Sequence, residues 1–226
     1  MTSADTRIVA LLGDPVSSSL SPLMQNAAFG AVGLDWTYVA LSVRSGDLEA
    51  AVRGLVALGF AGANVTTPHK LAVSQIVDTD LQSVNTLVVR DGSVYGYSTD
   101  AAVLASLPTG GLAILGDGGA ATAFAEARSD AARFSRSGAW PPEVENFDIV
   151  VNATSERDEV LVELQAGQTL VDLPYPRTAT ALAAERGGAT VVDGLQVLAA
   201  QGAAAFTLWT GIPAPLDLML ATVRSA

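Results

Sequence analysis

Leu112-Ala113-Ile114-Leu115-Gly116-Asp117-Gly118-Gly119-Ala120 passes from four apolar residues straight into a run rich in glycine, and apolar spacing continues to Ala127. Four apolar residues suit a buried strand, and the spacing from Ala120 suits a short helix. A strand, a glycine-rich turn and a helix in that order make the building unit of a parallel sheet covered by helices. Glycines there would let a dinucleotide pyrophosphate approach the backbone. The first-turn N–H groups of the helix, with its dipole, would then hold the charge. A tight turn with no ligand explains the same glycines. Asp117 argues against a phosphate, since a carboxylate inside such a loop repels one unless it points away.

Working outward, Ala132 to Ser135 reads as the next strand, followed by Asp148 to Val151, Thr169 to Val171 and Thr190 to Val192, with a helix over Thr178 to Arg186. In sheets of this kind a residue about 20 positions past the first glycine reads the ribose, an acid for NAD and an arginine for the 2′-phosphate of NADP. That place is held by Arg136, in Ser135-Arg136-Ser137. The position favours NADP over NAD, with an ordinary surface arginine as the alternative. The chain closes with two helical patterns, Leu195 to Trp209 and Pro215 to Val223, separated at Gly211-Ile212-Pro213.

Upstream of the break Leu107-Pro108-Thr109-Gly110-Gly111 lies a second alternating series. Strands are expected over Ile8 to Leu12, Trp36 to Val43, Ala63 to Val65, Val84 to Val89 and Val94 to Tyr97, with helices over Ser21 to Ala31 and Asp47 to Leu58. Asp91-Gly92 turns the last two strands into an antiparallel hairpin. The expected fold is therefore α/β in two domains. Residues 1–105 form a mixed, mostly parallel sheet covered by helices. Residues 106–212 form a smaller nucleotide-binding domain, followed by a C-terminal helix over 213–226.

Composition narrows the function. The 226 residues carry a formal charge of −11 with their twelve cations scattered, which disfavours nucleic acid and anionic membrane as partners. The absence of cysteine excludes disulfides and thiolate chemistry, and a single histidine leaves no cluster for a metal. There is no signal-peptide pattern and no apolar run of membrane-spanning length, so a cytoplasmic location is expected.

Among those twelve cations Lys70 is the only lysine, beside the only histidine, in Asn64-Val65-Thr66-Thr67-Pro68-His69-Lys70. An ammonium can give up a proton where a guanidinium cannot. Thr67-Pro68 reads as an N-cap and first-turn pair that places Lys70 in the first turn of a helix after a strand. A solvated helix-end lysine is the bland alternative. Asp100 stands at the same kind of strand-to-helix junction, in Tyr97-Ser98-Thr99-Asp100, and a helix cap explains it equally well. If both junctions share one sheet edge, Lys70 and Asp100 flank a cleft suited to proton transfer. Ser17, Ser18, Ser19, Ser21, Asn64, Thr66 and Asn85, at other strand ends, would offer uncharged donors and acceptors to a hydroxylated ligand.

Taken in order, these motifs resemble the shikimate dehydrogenase family. Gly13-Asp14-Pro15-Val16-Ser17-Ser18-Ser19-Leu20-Ser21-Pro22 is similar to its opening signature and Gly62 to Lys70 to its catalytic-lysine motif. Val84-Asn85-Thr86-Leu87 and Gly96-Tyr97-Ser98-Thr99-Asp100 resemble its hairpin and catalytic-aspartate motifs. Later matches are Gly116 to Ala120, Ser135 to Ser137, Asn152-Ala153-Thr154, Asp172-Leu173-Pro174-Tyr175 and Asp193 to Gln201.

The resemblance implies NADP-dependent reduction of 3-dehydroshikimate to shikimate in aromatic amino-acid biosynthesis. Lys70 and Asp100 would be the catalytic pair, and Ser19, Ser21, Asn64, Thr66, Asn85, Tyr175 and Gln201 the substrate-binding residues. Gly116, Gly118, Gly119, Ala120, Ser135, Arg136, Asn152, Thr154 and Gly194 would line a Rossmann-like cofactor site, and the C-terminal helix over 213–226 would pack back on the first domain. The chain departs from the family pattern between Arg136 and Asn152, where Trp140-Pro141-Pro142 replaces a helix and strand. A reduced domain implies weaker cofactor contact, and a sheet face left bare implies a homodimer. Two other functions fit the departures: a shikimate- or quinate-binding regulatory protein with impaired cofactor binding, and a dehydrogenase of quinate or an amino-substituted ring.

Overall fold

The computed structural model describes residues 3–226, which divide into two compact units. One comprises residues 3–99 and Ala199–Ala226, the other Asp100–Leu198. The division differs from the expected boundaries at residues 106 and 213.

In the first unit, strands β1 (Arg7–Gly13), β2 (Trp36–Ser42), β3 (Gly62–Val65), β4 (Thr86–Arg90) and β5 (Ser93–Tyr97) form a sheet of order β2-β1-β3-β4-β5. β1 is parallel to β2 and β3, while β4 is antiparallel to both β3 and β5. Only β4 runs against the rest, so the sheet is mixed and mostly parallel, as expected. The Asp91-Gly92 turn supplies the positive φ that a tight hairpin demands, at 51° and 77°. Helices α1 (Ser21–Ala31) and α2 (Leu48–Ala57) cover the sheet, and α2 seats Leu48, Val52 and Leu55 in a core with Ala10, Leu12, Ala63, Val65 and Leu87.

Between β3 and β4 the one regular element is α3 (Lys70–Val73), a single turn. The expected cap at Thr67 is not formed. The Thr67–Pro68 peptide is cis, and His69 occupies the N-cap position without a side-chain cap bond. Lys70 nevertheless opens the first turn.

The second unit opens with a 3₁₀ helix, Asp100–Ser106. Its sheet combines β6 (Leu112–Leu115), β7 (Ala132–Phe134), β8 (Ile149–Asn152), β9 (Thr169–Asp172) and β10 (Thr190–Val192), all parallel, in order β10-β9-β8-β6-β7. Strands β6, β8 and β9 are buried along their whole length, which explains the apolar run of β6 and the apolar centres of β8 and β9. α4 (Gly119–Ala127) follows β6 and α5 (Ala179–Arg186) follows β9. Thr178 caps α5 by accepting from the Ala181 N–H at 3.0 Å.

The chain returns from β7 to β8 without a helix or strand, as the short spacing suggested. The sheet is not left bare. Val144, Val162 and Leu164, from irregular segments, are buried against Ala113, Leu115, Val150 and Leu170, and Phe147 meets Phe134 edge to face at 6.2 Å. The bare face invoked for a homodimer is therefore covered by the chain itself.

α6 (Gly194–Thr210) begins in this unit and ends in the first. There Trp209 donates to the Leu87 carbonyl at 2.9 Å, and Gln25 of α1 donates to the Gly202 carbonyl at 2.9 Å. α7 (Leu216–Arg224) packs on α1.

Candidate active site

In the first unit β1, β3 and β5 end, and β4 begins, at one edge of the sheet. The register fixes this, pairing Leu12 with Val65, Asn64 with Thr86, and Thr86 with Tyr97. The segments bearing Ser19, Ser21, Thr66, Lys70 and Asn85 all leave or enter the sheet there, and Thr99 follows β5 by two residues. Asp100 is the next residue, the first of the second unit and 7 % exposed.

Asn64, Asn85 and Thr99 form a buried hydrogen-bonded group. Asn64 accepts from the Tyr38 hydroxyl at 2.9 Å and donates to the Thr86 hydroxyl at 3.0 Å and the Asn85 carbonyl at 3.1 Å. Asn85 accepts from the Thr99 N–H at 2.7 Å and donates to Gln201 Oε1 at 3.3 Å. These amides hold the β3 end, the β4 start, the β5 exit and α6 in mutual register. Such a group specifies geometry because an unpaired buried amide is costly. Tyr38 belongs to this framework and carried no signal in the sequence beyond its place in a strand.

Ser19 accepts from the Ser21 N–H at 3.2 Å, shaping the turn into α1. Gly13 is required by close approach, since a Cβ there would collide with the Thr66 methyl group and lie 3.2 Å from the Thr67 carbonyl oxygen. His69 is buried, with Nε2 2.6 Å from the Val43 carbonyl oxygen, so it anchors the turn that presents Lys70.

In the second unit the edge that matters lies between β7 and β8, where the chain crosses from one side of β6 to the other. Ligands of open parallel sheets bind at such a switch point, beyond the strand ends. A cavity of about 390 Å³ opens there, lined by residues that include Gly116, Gly118, Ser135, Arg136, Trp140 and Thr154. Gly116 has φ of 121°, and a Cβ would lie 3.0 Å from the Ala153 carbonyl oxygen. Glycine thus lets the β6 exit pass against the β8 exit. Gly118 is the N-cap of α4, with nothing within 4 Å of its would-be Cβ, and a helix N-terminus suits a phosphate.

Asp117 turns its carboxylate to Ser137, whose hydroxyl donates to it at 2.6 Å, and Ser137 lies 2.9 Å from the Ser135 hydroxyl. The acid thereby braces the turn that carries Arg136. Arg136 itself stands over Trp140, 5.8 Å from the ring centre, and pairs with Glu159 at 2.6 Å. These residues fit an NADP molecule: a glycine cradle, a helix start beside it, and a guanidinium with hydroxyls at the ribose position.

Asn152 serves the loop rather than the cavity surface. It is wholly buried, donates to Asp172 at 2.7 Å, and accepts from the Thr154 hydroxyl at 2.7 Å and N–H at 3.2 Å. Burial pushes the Asp172 carboxyl above its usual value, against the bonds from Asn152 and Thr178 that act to lower it. Asp172 is a site-shaping residue that the sequence reading quoted without a role. Glu156 accepts the N–H groups of Arg157, Asp158 and Glu159, which hold its carboxyl below the usual range. Gly194 is sterically obligatory, a Cβ there falling 2.6 Å from the Leu173 carbonyl oxygen. Tyr175 is half-buried in the loop after β9.

Known proteins match the whole chain. A family model of the shikimate dehydrogenase substrate binding domain matches residues 11–87, and one of the shikimate 5′-dehydrogenase C-terminal domain matches residues 194–224. Shikimate dehydrogenase (NADP(+)) of Moorella thermoacetica is 41 % identical, covering 99 % of this chain and 94 % of its own length. The protein of that name from Methanothermobacter thermautotrophicus is 36 % identical, with 97 % and 96 % covered. A crystal structure of shikimate dehydrogenase in complex with NADP+ superposes with a TM-score of 0.87 at 29 % identity, covering 100 % of this chain and 97 % of that one. The Thermus thermophilus shikimate 5-dehydrogenase complex with NADP(H) and shikimate gives 0.84 at 28 % identity, with 97 % and 99 % covered.

Proposed function

The chain belongs to the shikimate dehydrogenase family, and on that premise we propose that it catalyses the NADP-dependent reduction of 3-dehydroshikimate to shikimate. The observation that carries the reading is the single sheet edge at which β1 leads to Ser19, β3 supplies Asn64 and leads to Lys70, and Asn85 leads into β4. Family membership over the full length supports the remainder.

When bound, NADPH supplies the hydride. Lys70 donates the proton to, or stabilises, the alkoxide that develops on the ring oxygen, and Asp100 holds or relays that proton. Ser19, Ser21, Thr66, Tyr175 and Gln201 bind the carboxylate and hydroxyls of the ring. Asn64 and Asn85 bind the ring from a hydrogen-bonded group that already fixes their positions. Gly116, Gly118, Gly119 and Ala120 receive the pyrophosphate, Ser135 and Arg136 the 2′-phosphate, and Thr154 and Gly194 complete the cofactor site.

A binding protein without turnover is not favoured, because the cradle at Gly116 and the guanidinium of Arg136 are both in place. A cytoplasmic location belongs to the same reading; no described helix is long and apolar enough to cross a membrane. A homodimer would need an interface other than the covered sheet face of the second unit, and light scattering at micromolar concentration decides it.

The direct test follows NADPH consumption with 3-dehydroshikimate, and NADP reduction with shikimate. Lys70→Ala is expected to lower kcat by about 10²- to 10⁴-fold, the usual loss of a positioned acid. Retention of kcat in that variant would remove Lys70 from the mechanism.

A further inference from the structure

Three carboxylates belong to the segments around Arg136, and among the described residues Glu159 is the one that hydrogen-bonds it, while Glu156 acts on it only through its charge. Asp117 is engaged by the Ser137 hydroxyl. Glu156 is engaged by three backbone N–H groups of its own loop. Glu159 Oε2 instead meets Arg136 Nη2 at 2.6 Å, with both side chains largely exposed at 65 % and 61 %. The pair joins the turn after β7 to the loop after β8, the two segments that line the cavity on either side of the β6 exit.

We infer that Glu159 tunes cofactor selectivity by occupying the guanidinium that the 2′-phosphate of NADP must claim. The inference rests on the reading of Arg136 as the 2′-phosphate residue. A phosphate with about two negative charges outbids a single carboxylate for a guanidinium, and does so with fork-like geometry. Binding of NADP therefore breaks the pair and places Glu159 beside a like charge, whereas binding of NAD leaves the pair intact. Loss of the Glu159 charge should strengthen NADP and leave NAD unmoved. The effect is small because an exposed pair in water is weak.

The test measures dissociation constants of NADP and NAD by calorimetry for the wild type, Glu159→Gln, Arg136→Ala and the double variant. Glutamine keeps the length and an acceptor oxygen while removing the charge. In Glu159→Gln the NADP constant is expected to fall about two- to fivefold with NAD unchanged, and Glu159→Ala should move in the same direction. In the Arg136→Ala background the substitution should move the NADP constant less than it does in the wild type, since only the like-charge repulsion remains to be relieved. An unchanged NADP constant in Glu159→Gln, or an equal change for both nucleotides, overturns the inference. Arg136→Ala separates the two levels: if it weakens NADP alone while Glu159→Gln is silent, only the role of Glu159 fails. If it weakens NADP and NAD equally, the reading of Arg136 fails beneath it.

Discussion

Gly116 shows how much a single residue decides here. Its φ of 121° is a region that side chains rarely enter, and its neighbour across the β6–β8 gap is the Ala153 carbonyl. Strain of this sort costs about 1–3 kcal/mol when a Cβ is forced on it. Gly116→Ala should therefore lower the melting temperature and weaken NADP at least tenfold while shikimate affinity is kept, because the substrate residues Asn64 and Asn85 lie in the other unit. Calorimetry with each ligand checks this; equal losses for both would mean general unfolding. Lys70 was legible for a different reason. A lone lysine among arginines is visible in composition alone, and its strand-to-turn context follows from local sequence. The jobs of Asn152 and Tyr38 were not legible, since their bonds reach Asp172 and Asn64 across the sheet, at separations that no local pattern encodes.

At the scale of elements, strands were read well because those buried on both faces carry apolar runs, and those at hairpins carry turn residues. The helices at the two junctions stand where they are expected but are short: one turn at Lys70–Val73 and a 3₁₀ helix at Asp100–Ser106, too few residues for periodicity to set their lengths. The irregular segments that supply Val144, Phe147, Val162 and Leu164 to the sheet likewise have no regular spacing to betray their burial. The joint between the β8 and β9 exits, Asp172 with Asn152 and Thr178, makes a pH prediction. Burial raises the Asp172 carboxyl above 3.8 in the folded chain, so the folded state binds this proton before the unfolded state does. Unfolding free energy contributed by this group is then highest at acid pH and falls as pH rises from about 4 toward the raised folded value. Asp172→Asn should cost about 1–3 kcal/mol through a mismatched buried bond. The advantage of the wild type over it, from urea titrations, should shrink between pH 4 and pH 7. An advantage that grows with pH would show that the carboxylate, not the acid, is the favoured folded form.

For the whole molecule the question is how a chain of net charge −11 takes up an anionic nucleotide. Beyond a Debye length, about 10 Å at 0.1 M salt, an approaching ligand meets the net charge, which repels it. Closer in, the charged lining of the cavity is Asp117, Arg136 and Glu156, with Glu159 on the guanidinium. Carboxylates outnumber the cation there as well, so the near field and the far field have the same sign. Attraction begins only where the backbone N–H groups of the glycine turn and the start of α4 come within hydrogen-bond reach, a range that salt hardly screens. The association rate of NADPH should therefore increase as ionic strength is raised from about 10 to 200 mM, with the dissociation rate nearly constant, in stopped-flow measurements of nucleotide fluorescence. Most sites for phosphorylated ligands are steered by cations and slow down with salt. A rate that falls with salt would mean that Arg136 governs the approach, which its pairing with Glu159 opposes. The same experiment on Glu159→Gln should show a shallower rise, since one repelling charge at the mouth has been removed.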